Sequence, residues 1–295
     1  MQKEELDSFV LAGRIACDAL DFGEKLIKPG QSMILILDQI EEFIKSQGAE
    51  LAFPPQISLN NVAAHFCPDQ EDVLLKEGDV VKLDVGTSIN GYIADTARTI
   101  DLGNNTELVN ASKDALAQAL KLIRPGVQIG ELGKTIQETI MSHGFSPIRN
   151  LSGHGVGRYR IHGAPTIPNV ETGDITELKE NQTIAIEPFA TTGAGIVYES
   201  GVSTIFTLRY EKPVRSPMAR QVLQEIKKYN GLPFASRWLT KKFGVAKTSI
   251  ALRELSQLGM LDAHPPLLDK AQGLVSQAEH SVIVKDKAII YTKNK

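Results

Sequence analysis

The 295-residue chain is predicted to adopt an α+β fold in which one helix–helix–strand unit is used twice, with a helical subdomain inserted into the second copy. Three observations predict this. Residues 25–30 read KLIKPG and residues 121–126 read KLIRPG, each followed by a periodic stretch that stops at a glycine, Gly48 and Gly144, so that both landmarks recur after 96 residues. Next, LKEGDVVKLD (75–84) aligns without gaps on LKENQTIAIE (178–187), now 103 residues on, which sets Asp84 on Glu187. Finally, the second copy loses the plan after about Gly201 and reads as three short helices before strand-like sequence resumes.

Each element has a local reason. Residues 7–26 and 110–122 carry apolar side chains at three- and four-residue spacing, and 33–44 and 129–141 repeat the pattern after the Pro-Gly turn, which predicts two helix pairs. Every unit has one apolar face, so the two close on a shared core with their strands side by side. In the insertion, SPMARQVLQEIKKYN, PFASRWLTKKF and AKTSIALRELSQL are separated by glycines, with Pro217 suited to a first helical position. Residues 216–262 hold eight Lys or Arg and three Asp or Glu, a net +5 against −8 for the rest of a chain whose total is −3. A winged-helix-like subdomain is expected over 202–265, with 1–201 and 266–295 forming the main domain. Its basic face is read first as a solvated or pocket-forming surface and only second as a nucleic-acid contact.

Composition sets limits on function. A 42% hydrophobic content supplies a full core, while the small net charge gives no overall pull toward nucleic acid or anionic membrane. No apolar run approaches a membrane span, and the amino terminus shows no signal segment. Cys17 and Cys67 make no disulfide framework, so a reduced cytoplasmic setting is expected.

The acids stand out. Asn90-Gly91 signals a two-residue hairpin turn, which sets Ile89 opposite Tyr92, Gly86 opposite Asp95 and Asp84 opposite Ala97. Asp84 and Asp95 become diagonal neighbours on one face, roughly 7 Å apart at the backbone, and Gly86 is expected to leave room above Asp95. A further hairpin over 273–284 and 287–292 brings Glu279, while the register of the repeat brings Glu187. Four carboxylates at strand centres require cations, or else some stay protonated. His154, in SGHGVGRY, lies between the two sets among glycines. Four carboxylates and an imidazole suit two divalent ions, Mn, Fe, Co or Zn, and are a poor set for haem or iron–sulfur. Two such ions some 3.5 Å apart activate a bridging water and polarise a carbonyl, which is hydrolytic equipment. His65 and His162 are read either as ordinary histidines or as donors to a substrate amide and oxyanion. His280 is expected to pack on the face opposite Glu279, and His143 and His264 carry no signal.

These residues, set in KLDVGTSINGYIADTA, SGHGVGRYRIHGA, AIEPFATTGAG and AEHSV, resemble the five metal ligands of the methionine aminopeptidases over almost the whole chain. The resemblance implies the duplicated pseudo-two-fold pita-bread (creatinase/aminopeptidase) fold. A helical insertion between Glu187 and Glu279, with no long amino-terminal extension, is similar to the archaeal type 2 enzymes. It further implies that Asp84 chelates one metal, Asp95 and Glu279 bridge, His154 completes the second, and Glu187 is both ligand and general base. His65 and His162 resemble the substrate-facing histidines, His65 also matching the residue alkylated by fungal epoxide inhibitors. Phe53, Ile161 and His162, with part of 232–238, would shape the methionine slot. The implied reaction is attack of a bridging water or hydroxide on the scissile carbonyl, removing initiator methionine from nascent polypeptides with small second residues. The partners implied are nascent amino termini; the basic patch of the insertion is read as a transient ribosome contact, to be tested by charge reversal at Lys241 and Lys242, and a monomer is expected. One departure is visible: HGAPTIPN has glycine then alanine after the histidine where the family more often has the reverse. The competing readings are a proline-releasing hydrolase of the same fold and a non-catalytic binding homologue, the latter expected to lack some ligands.

Overall fold

The computed structural model describes residues 1–293. Among these residues are seven α-helices: α1 (Lys3–Leu26), α2 (Met33–Ser46), α3 (Thr106–Leu122), α4 (Ile129–Ser142), α5 (Pro217–Ile226), α6 (Ser236–Phe243) and α7 (Val245–Gln257). The Ser32 side chain caps α2 by accepting from the Leu35 N–H, and Ser216 caps α5 in the same way ahead of Pro217. The glycines that punctuate the repeat share a backbone state: φ is 85° and 84° at Gly30 and Gly126, and 80° and 82° at Gly48 and Gly144. A side chain at these turns would carry left-handed strain, so the two copies stop their helices by one device.

The duplication extends to individual hydrogen bonds. The isolated bridge Ser32↔Leu74 has its counterpart in Gln128↔Glu177, and Gly30 N–H→Leu75 C=O (2.7 Å) in Gly126 N–H→Leu178 C=O (2.9 Å). In the first half Val80–Ile89 pairs antiparallel with Glu50–Leu51, Gln56–Leu59 and Tyr92–Asp101. In the second, five strands run in the spatial order Ile289–Ile290, His280–Ile283, Thr183–Ile186, Ser152–Gly157, Arg160–Pro168. Each half buries its helices on its own apolar cluster, Leu37, Ile40 and Leu83 in one and Leu132, Ile136 and Ile184 in the other.

The halves meet along a seam of side-chain bonds. Thr99 Oγ1 donates to the Gln277 carbonyl and accepts from its N–H, while Ser281 Oγ donates to the Asp95 carbonyl and accepts from its N–H. Thr99 and Ser281 are repeat counterparts, as are Asp95 and Gln277, so these two contacts are one contact seen twice. The Glu279 N–H bonds to the Ala97 carbonyl between them, which puts the pseudo-two-fold axis at the Ala97–Glu279 pair.

The inserted stretch contains strands as well as the expected helices. Ile205–Leu208 pairs with Phe234–Ala235 on one side and Leu261–His264 on the other. Runs of two to four residues are too short to show alternation in sequence. Helices α5 to α7 pack on this small sheet around Val222, Phe234, Leu239 and Leu255.

Candidate metal and substrate site

The Asn90-Gly91 turn forms, with φ of 54° and 85°, and the register is the expected one: Ile89↔Tyr92, Gly86↔Asp95, Asp84↔Ala97. Asp84 and Asp95 are thereby diagonal neighbours on one face. The expectation of room above Asp95 is corrected. A Cβ added to Gly86 would lie 2.1 Å from Phe53 Cε1, so the Phe53 ring fills that space.

A cavity of about 530 Å³ opens onto Asp84, Asp95, His154, Glu187 and Glu279. One donor atom from each of Asp95, His154 and Glu279 lies within 4.8 Å of the others. His154 Nε2 is 3.6 Å from Asp95 Oδ2 and 3.5 Å from Glu187 Oε1. Asp95 and Glu279 are buried and Asp84 and Glu187 half-buried; burial raises the pKa of Asp84 to about 7, and burial followed by the charges of neighbouring acids holds Asp95, Glu187 and Glu279 well above the usual carboxylate range. His154 is pushed down to about 3 by burial and the nearby His162 ring, leaving a neutral imidazole able to ligate. Asp84 Oδ1 and Asp95 Oδ1 are buried with no hydrogen-bond partner among the described residues. Oxygen-rich, neutral-imidazole sets with unsatisfied buried oxygens fit hard or borderline divalent cations, which would return these acids to the ionised state.

The remaining sequence-selected residues surround the same cavity. His162 stands over His154 with ring centroids 4.6 Å apart, edge to face. It faces the open cavity and is water-accessible, yet the surrounding protein and the His264 ring hold its pKa down to about 4. His65 is likewise lowered to about 4, chiefly by burial. Its backbone sits at φ 64°, held by its N–H donating to Gln56 Oε1 at 2.7 Å. Phe53 and Ile161 join Ile93, Val156 and Leu232 in an apolar cluster beside the acids. Trp238, grouped with the slot residues in the sequence, turns away and donates to Glu41 at 2.7 Å.

Sequence reasoning missed Gln277 and His264. Gln277 is 1% exposed and its Nε2 reaches Glu187 Oε2 at 3.5 Å. The available signal was its position two residues before Glu279, on the same face of an extended segment. His264 lies 5.8 Å from His65, ring to ring, with Thr207 Oγ1 2.8 Å from its Nε2; it closes a four-residue strand and nothing nearby marks it. His280 pairs with Thr292 and lies outside the cavity lining. Lys241 and Lys242 are ion-paired to Asp38 (2.6 Å) and Glu225 (2.7 Å), acids they share with Arg237 and Lys228. No helix among the described residues is long and apolar enough to cross a membrane.

Buried carboxylates and an imidazole at the base of a cleft, beside an apolar slot and two neutral histidines, are the arrangement of a metal-dependent hydrolase. The chain belongs to metallopeptidase family M24, whose profile matches residues 8–215. It is 45% identical to a methionine aminopeptidase of Archaeoglobus fulgidus over 99% of this chain and 100% of that protein. Among solved structures it resembles a methionine aminopeptidase from Thermotoga maritima, with 25% identity and a TM-score of 0.74 over 100% of this chain and 98% of the other. A thermophilic Arx1 shares the fold at a TM-score of 0.87 and 15% identity, over 99% of this chain and 91% of that one.

Proposed function

We propose that this chain releases the amino-terminal methionine of nascent polypeptides with a small second residue, using two divalent ions held by Asp84, Asp95, His154, Glu187 and Glu279. The observation that carries the reading is the convergence of Asp95, His154 and Glu279 donor atoms within 4.8 Å, drawn from both halves of the chain, at a cavity lined by an apolar slot. Cobalt, manganese, iron or zinc bound there supplies Lewis acidity to a water molecule and to the scissile carbonyl.

The protein's own groups do the rest. Glu187 takes the proton from the attacking water, and Gln277 at 3.5 Å steadies its far oxygen. His65 and His162, held to about 4, are neutral at pH 7 and hydrogen-bond the substrate amide and carbonyl as uncharged groups. Phe53, Ile161 and Leu232 receive the methionine side chain. A bulky second residue would meet the walls of the cleft.

The test is hydrolysis of Met-Ala-Ser, Met-Gly, Met-Leu and Ala-Pro peptides by metal-stripped protein reloaded with each ion in turn. Methionine release from Met-Ala-Ser, with an Asp95→Asn control that loses metal, is expected. Equal cleavage of Met-Gly and Met-Leu would remove the small-residue rule, and cleavage of Ala-Pro alone would replace the reading by a proline-releasing one.

A further inference from the structure

We propose that Arg160 selects peptides with an acidic side chain at the second residue beyond the scissile bond. The inference rests on the methionine-releasing reading of the cavity and names the substrates that site would favour.

Among the described residues that line the cavity, Arg160 is the only Lys or Arg. It is exposed, and among the described residues no hydrogen bond or ion pair engages its guanidinium. Two divalent ions held by the four acids would cancel their charge, which would leave Arg160 as the net charge a peptide tail meets on leaving the site.

Its placement sets the reach. Arg160 opens the strand Arg160–Pro168 two residues ahead of His162, and the pairing of that strand with Ser152–Gly157 is bulged between Arg160 and Gly163. If His162 contacts the scissile amide, a guanidinium in its neighbourhood meets the chain at the second residue beyond that bond, because the first must be small. Gly163 fixes where the guanidinium lies: an added Cβ would be 2.9 Å from Arg160 Nε and 3.3 Å from its Cζ. The side chain folds back over a position that only glycine leaves clear, toward the His162 end of the strand. A carboxylate is the natural partner, because the planar guanidinium donates two parallel bonds to it.

The test uses manganese-loaded protein and two pentapeptides, Met-Ala-Asp-Ser-Gly and Met-Ala-Lys-Ser-Gly, both amidated so that no terminal carboxylate substitutes for the side chain. The Asp peptide should be preferred about tenfold in kcat/KM at low salt, mainly through KM, with the preference shrinking at high salt. Arg160→Glu should invert it. Gly163→Ala, which displaces the guanidinium, should cut it to less than half. A parent ratio near one, or an Asp preference that survives Arg160→Glu, overturns the inference alone; an unchanged ratio in Gly163→Ala overturns the glycine's part in it. Release of no methionine from either peptide overturns the proposed reaction, and this inference with it.

Discussion

The attachment of the inserted segment to the first half gives the most quantitative prediction. Arg237, at the start of α6, is 2% exposed and ion-pairs with Asp38 and Glu41 of α2. Glu41 is 4% exposed, and its remaining donor is the Trp238 indole at 2.7 Å. In Arg237→Met the Glu41 carboxylate loses its cation while staying buried. Breaking a buried pair by removing one partner costs roughly 3–5 kcal/mol; Lys241, 2.6 Å from Asp38, still serves the other acid, so the low end, about 3 kcal/mol, is expected.

The cost depends on pH. Burial already raises the Glu41 pKa, and Arg237 is the main force opposing that rise; its loss raises the value further. A carboxyl whose folded pKa exceeds its unfolded one contributes stability that is complete below the unfolded value and lost as pH rises through the folded value. The deficit should therefore be largest at pH 8 and shrink toward pH 5. Thermal melts of both proteins at pH 5, 6.5 and 8 read this out, with a drop of about 6 °C at pH 8. Adding Glu41→Leu removes the stranded carboxylate and should recover most of it. A loss under about 1 kcal/mol at pH 8, or one that grows on acidification, would refute the reasoning.

Other substitutions test the site and the seam. Gly86→Ala would bring a methyl group 2.1 Å from Phe53 Cε1, so the ring must leave the slot, at a cost of about 1–3 kcal/mol and a several-fold rise in KM for methionyl peptides; an unchanged KM would show that Phe53 does not shape the slot. Ser281→Ala deletes both bonds to the Asp95 backbone and should cost about 1–3 kcal/mol in urea denaturation, where an effect below about 0.5 kcal/mol would show the seam to be dispensable. Burial pushes the Cys67 thiol up to about 11, so labelling at pH 8, followed by peptide mass spectrometry, should leave Cys67 unmodified until the protein unfolds. Modification of the native protein within minutes would contradict that burial.

What was legible in the sequence was what local rules determine. The hairpin register followed from Asn90-Gly91 because a two-residue turn admits one alignment. The repeat was visible because the helix stops at Gly48 and Gly144 need the same left-handed backbone. Contacts between distant segments were not legible. The Phe53 ring over Gly86, Lys241 on Asp38 and Trp238 on Glu41 each join residues that no pattern links. His264 and Gln277 escaped for a related reason: a neutral side chain inside a short strand carries no periodic signal, whereas a buried acid conflicts with its surroundings and is noticed.

The seam explains how a symmetric scaffold holds an asymmetric site. Asp84 and Glu187 are repeat counterparts and face each other as acids, but the other two pairs are broken. Asp95 has the neutral Gln277 as counterpart, and Glu279 has Ala97, to whose carbonyl its own N–H is bonded. Full symmetry would place two further carboxylates in a cluster whose four acids already have raised pKa values, Asp84 through burial and the other three through burial and the charges of their neighbours. An amide at Gln277 replaces one of those charges by a donor 3.5 Å from Glu187, and Ala97 leaves the axis free for the Glu279 side chain alone. The departures from symmetry therefore limit the negative charge that a bound metal would have to neutralise, and they set one amide beside both Asp84 and Glu187, where its hydrogen bonds lower the two raised pKa values. Converting Gln277 to Glu should raise the metal concentration needed for half-saturation of activity or, if the extra acid takes up a proton instead, leave it unchanged while shifting the pH at which metal binds upward; a protein that binds the same metal equally well at every pH would show that the broken symmetry has no electrostatic role.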